Sequence, residues 1–85
     1  MSQKKKLLKK FLERPAALSF SEIQVLLFSL GFKQETVRGS HYKFINPNLK
    51  KFFVIPIHHG DCKVRYKVNI QKFILLNNLH NFYLL

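Results

Sequence analysis

Arg38-Gly39-Ser40-His41-Tyr42-Lys43-Phe44-Ile45-Asn46-Pro47-Asn48 is the stretch that decides the fold of this chain. Arg38-Gly39-Ser40 signals a turn. The β-formers Tyr42, Phe44 and Ile45 make His41–Ile45 a strand. Period two places His41 and Lys43 on one face and Tyr42 and Phe44 on the other. Asn46-Pro47-Asn48 marks a second turn. Upstream, Phe32–Val37 alternates weakly, as a partner strand would. Downstream, Phe52–Ile57 is dense in aromatic and β-branched residues and forms a third strand. Pro56 has no N–H to give a ladder, so it belongs at a sheet edge or a strand end. Three strands in succession, joined by short turns, make an antiparallel meander.

Helical patterns flank this meander. In residues 3–14, Leu7, Leu8, Phe11 and Leu12 share one face, with lysines around the rest, and Pro15 ends the run. An amphipathic helix of this kind packs on its own domain more often than on a membrane. Ser19 and Glu22 form a capping box, and Ile23, Leu26, Leu27 and Leu30 follow on one face. Val25 and Phe28 widen that apolar arc. Gly31 is the expected stop, because glycine accepts the left-handed conformation. After a loop at His58-His59-Gly60-Asp61, a helix is expected from Lys63 to about Asn77. Its apolar stripe is Tyr66, Ile70, Phe73 and Ile74; its polar stripe is Arg65, Asn69 and Lys72. The predicted class is therefore α+β. A three-stranded antiparallel sheet carries helices on one face, in the order α-α-β-β-β-α, and the other face is left to solvent.

Length and composition are consistent with one domain over residues 1–85. Residues 1–18 are an N-terminal basic helix extension, 19–77 the core, and 78–85 an apolar tail. In 85 residues, 47% are hydrophobic and nine are Phe, enough for one modest core. Fifteen Lys and Arg against four Asp and Glu give a net charge of +11. Such an excess makes a polyanion the expected partner. Cys62 is the single cysteine, so no internal disulfide forms and a reducing cytoplasm fits. No apolar run approaches the ~18 residues that would suggest a membrane span. Lys9-Lys10 interrupts Leu7-Leu8, which excludes a signal peptide there.

Imidazole is the side chain that titrates near neutral pH, and His41 sits on a tight turn in cationic surroundings. It is either a proton-transfer residue or a surface side chain at a turn. Gly39 serves positive φ, and Ser40 either bonds the turn or orients a phosphate. The basic set available to the backbone of a nucleic acid, one of the polyanions that the charge allows, is Arg38, Lys43, Lys50, Lys51, Lys63, Arg65 and Lys67, with Tyr42 and Tyr66 able to stack bases. His58 and His59 are candidates for a second proton-transfer group. A metal site combining them with His41 and Asp61 is disfavoured, because neighbouring residues in an extended segment face opposite ways. Glu13, Glu22, Glu35 and Asp61 are scattered, which disfavours carboxylate-pair chemistry.

The ordered set Leu30-Gly31-Phe32, Gly39-Ser40-His41-Tyr42-Lys43-Phe44 and Ile55-Pro56-Ile57-His58, closed by a basic helix, resembles the HicA (YcfA-like) toxins over roughly residues 4–77. That resemblance implies a double-stranded-RNA-binding-domain-like two-layer fold. It also implies an mRNA interferase that cleaves RNA without a metal or other cofactor. The protein would be the toxin of a type II toxin–antitoxin pair, neutralised by a HicB-like antitoxin. The family's catalytic histidine falls on His41, and its glycine-serine turn on Gly39 and Ser40. A non-catalytic RNA-binding module of the same fold is the alternative. A DNA-binding role is disfavoured by the lack of a clear helix-turn-helix.

Overall fold

The computed structural model describes residues 3–77 and Leu79. The element order is α1 (Gln3–Glu13), a single 3-10 turn (Pro15–Ala17), α2 (Phe20–Ser29), β1 (Lys33–Arg38), β2 (His41–Asn46), β3 (Lys51–Pro56) and α3 (Val64–Leu76). The α+β class and the α-α-β-β-β-α order are those expected, and element ends differ by a residue or so. The 3-10 turn is an addition: Pro15 both ends α1 and starts the next turn, since its missing N–H is not needed there.

The cap signals act as the sequence implies. The Ser19 side chain accepts the Glu22 N–H, and the Glu22 carboxylate accepts the Ser19 N–H at 3.0 Å. Those bonds hold the Glu22 carboxyl below its usual range, the Ser19 backbone bond contributing most. At the other end of α2, Gly31 has φ +95°. Gly31 N–H reaches the Phe28 carbonyl at 3.1 Å and Phe32 N–H the Leu27 carbonyl at 3.0 Å. This paired closure ends the helix and aims the chain into β1.

The sheet is β1-β2-β3, antiparallel throughout, with β2 central. A register shift between Thr36 and Arg38 brings Arg38 directly opposite His41 across the two-residue turn Gly39-Ser40. Asn46 closes the far end of β2. Its buried side-chain amide donates to the Leu30 carbonyl at 3.0 Å, and its oxygen accepts the Leu49 N–H at 3.2 Å. One side chain thus shapes the β2–β3 turn and ties it to the end of α2.

A single core joins the helices to one face of the sheet. It holds Phe11 of α1, Leu18 after the 3-10 turn, Ile23, Leu26 and Leu27 of α2, Phe44 of β2, Ile55 of β3, and Ile70 and Ile74 of α3. Leu8 and Phe11 make α1 part of this core. Gln71 on α3 donates to the Leu12 carbonyl at 2.7 Å, fixing the end of α1. Of the apolar tail 78–85, Leu79 is buried; the rest lies outside the described residues.

Candidate functional site

The end of the sheet that carries the Gly39-Ser40 turn gathers most of the expected site residues. His41 is exposed at the first position of β2, between Arg38 on β1 and Pro56 on β3. Gly39 has φ +46°, a conformation that a side chain would strain. The Ser40 carbonyl accepts the Ile57 N–H at 2.9 Å. That bond draws the connection after β3 alongside the turn and places His58 and His59 at the same end.

The connection itself is a tight hairpin. His58 and Asp61 exchange both backbone hydrogen bonds, at 2.8 and 3.1 Å. Between them, His59 and Gly60 have φ of +54° and +80°. Two successive residues with positive φ suit a two-residue turn, and this one projects both histidines into solvent. Lys63 then caps α3, and Lys63 and Arg65 are exposed near its N-terminus. Arg65 lies 5.0 Å from the Tyr66 ring centroid and donates to its hydroxyl at 3.2 Å. Among the described residues no group of three His, Cys, Asp or Glu is placed to hold a metal.

Two expected RNA contacts lie elsewhere. Tyr42 points to the core face and packs on Phe20, ring centroids 5.6 Å apart. Lys67 requires a correction. It is 3% exposed and faces inward beside Ile70 and Ile74. Its ammonium donates to the Leu18 carbonyl at 2.7 Å and to Asp61 Oδ2 at 3.2 Å. A buried ammonium is stable only when its donors are engaged, so Lys67 serves the interior and is not available to a phosphate.

Asp61, read from sequence as a lone loop residue, is therefore the other half of an ion pair. Burial pushes its carboxyl up, but hydrogen bonds from Cys62 N–H and Lys67, with the charge of Lys67, outweigh that and hold it below its usual range. Helix spacing puts Lys67 on the face of Ile70 and Ile74, but no local signal names its partners. The Cys62 thiol is buried and pushed up by desolvation, the opposite of an activated nucleophile.

The open face of the sheet continues from His41. Cross-strand pairs His41–Pro56, Lys43–Val54 and Ile45–Phe52 lie in sequence along it. Lys43 is half-buried, its ammonium 4.9 Å over the Phe52 ring. The site thus combines an exposed imidazole, a guanidinium directly across the turn, and cations on both sides. This arrangement can move a proton next to a bound phosphate and offset the charge that develops there.

No curated protein and no solved structure matches. The family model described as the HicA toxin of bacterial toxin-antitoxin systems matches residues 20–69, more than half of the chain, and takes in all three strands and both turns of the site. The chain belongs to the HicA toxin family.

Proposed function

We propose that this toxin is a metal-independent endoribonuclease, an mRNA interferase of the cytoplasm, with His41 as its proton-transfer residue. The observation that carries the reading is the exposed imidazole of His41 set opposite Arg38 at the cationic end of the sheet. RNA brings its own nucleophile. His41 takes the proton of a 2′-hydroxyl as O2′ bonds to phosphorus. The P–O5′ bond then breaks and a proton reaches O5′, leaving a 2′,3′-cyclic phosphate and a 5′-hydroxyl. Arg38 offsets charge on the phosphorane oxygens. His58 or His59, at the same end, is the candidate for the second proton transfer. Gly39 shapes the turn, and Ser40 holds the neighbouring connection through its carbonyl. Lys43, Lys63 and Arg65 contact the strand on either side.

The antitoxin that the family implies is, in this reading, a HicB-like protein whose acidic surface covers the cationic end and hides His41. The test is RNA degradation in EDTA, with growth arrest on expression, by wild type and His41→Ala. Wild type degrades RNA and arrests growth; the variant does neither. Equal cleavage by the two proteins removes His41 from the mechanism. RNA that is bound but left intact by wild type makes the protein a binding module.

A further inference from the structure

The proposed site accounts for one end of the sheet but not for the middle of its open face. There Phe52 is 58% exposed and Val54 41%, two adjoining apolar side chains on the face away from the core. Phe52 stands opposite Ile45, on the same face as Lys43 and His41. The distance from His41 to that pair is about 13 Å along β2, at ~3.3 Å per residue. A cation sits over the ring. Lys33, opposite Ile45, adds a second charge. Of the chain's four acids only Glu35, opposite Lys43, lies on a strand.

We propose that Phe52 is a base-stacking subsite for the RNA strand engaged at His41. The proposal rests on the RNA reading of that end of the sheet. A flat, exposed aromatic ring beside an ammonium fits a nucleotide on both counts. The ring takes the face of a base, and Lys43 meets the adjoining phosphate. The net charge of +11 favours this occupant over an apolar protein surface. The subsite lies a few nucleotides from the scissile bond, so it sets which stretch of RNA is held and not the chemistry. Every base has a stacking face, and the resulting preference is for unpaired strand over duplex.

The test uses the full chain and a fluorescein-labelled eight-nucleotide 2′-O-methyl RNA of mixed sequence, which stacks normally but lacks the nucleophile. Phe52→Ala weakens binding by about 5- to 150-fold, the range for loss of one stacked base. Phe52→Leu, which keeps apolar bulk without the π face, weakens it similarly. Phe52→Trp retains affinity. Because the chain has no tryptophan of its own, the new indole's emission reports the subsite directly and falls as RNA binds. Wild-type affinity in Phe52→Ala or Phe52→Leu, or unchanged indole emission, overturns the subsite while RNA cleavage by the wild type still stands. Failure of the wild type to bind the probe at all overturns the RNA reading itself. If Phe52→Ala binds RNA normally but escapes neutralisation by a co-expressed antitoxin, the face belongs to the protein partner and the proposal falls.

Discussion

Neighbouring residues of β2 live in different worlds. Phe44 has no exposure and packs edge-on to Phe20, whereas His41 stands in solvent and Lys43 lies across an exposed ring. The alternation of a strand separates two demands within six residues. One face is held by packing against α2 and α3, and the other is free to carry charge, an imidazole and an exposed aromatic. The covered face determines where the open face points. Chemistry on such a sheet can vary with little effect on stability, while the core beneath it cannot.

The sharpest way to break this contrast is to truncate one residue on each face. His41→Ala is expected to lower the RNA cleavage rate by about 10²–10⁴-fold, measured on a labelled oligonucleotide. It should leave the urea midpoint almost unmoved, because an exposed side chain away from caps and core changes stability by about 0.5 kcal/mol or less. Phe44→Ala reverses the pattern. It should cost about 3–5 kcal/mol in equilibrium unfolding, a large share of what so small a domain has. A large stability loss in the first variant, or none in the second, would dissolve the division of labour.

Lys67 tests the same division from inside. Lys67→Met keeps the buried stem but leaves the Leu18 carbonyl without its donor, for about 1–3 kcal/mol. Its RNA affinity should keep the salt dependence of wild type, since a buried ammonium releases no counterion. Lys63→Gln, at an exposed cation, should reduce the log–log salt slope by about 0.7. A reduced slope in Lys67→Met would return that lysine to the surface.

The smallest expected effect belongs to Asp61→Asn, about 1 kcal/mol for a carboxylate half in water. It carries a pH signature. The folded Asp61 carboxyl lies below its ordinary 3.8. Its stabilisation is complete above that ordinary value and is lost as pH falls through the lower folded one. The stability gap between wild type and Asp61→Asn should therefore be flat at neutral pH and close in acid, as followed by urea titrations across that range.

What the chain discloses by itself depends on how local the cause is. The Ser19–Glu22 cap, the Gly31 stop and the Gly39-Ser40 turn are set by residues within a few positions of each other. Each was legible for that reason. Period two likewise assigns the face on which His41 and Lys43 lie. Lys67 was not legible, because its partners are Asp61 and a carbonyl 49 residues away. A lysine between apolar positions looks solvated until those partners are known. Phe52 was hidden differently. The run Phe52-Phe53-Val54-Ile55 is apolar on both faces, so alternation could not tell the buried Ile55 from the exposed Phe52. The clustering of the two histidine-bearing turns is likewise a product of the Ser40–Ile57 bond, which no spacing rule reports.

Two side chains of α3 reach backward to the opening segment: Lys67 to Leu18, and Gln71 to Leu12 across 59 positions. Contacts of such span form late, since the intervening chain must be ordered first. The core has no closure until Gln71 of α3 reaches the Leu12 carbonyl. A shorter nascent chain holds Leu8, Phe11 and Leu18 without the helix that buries them. The proposed site, beside the Asp61–Lys67 pair, is then equally incomplete. In the RNA-cleaving reading proposed above, the nuclease would be assembled beside its own message in an unfinished form, and would become competent only when α3 docks.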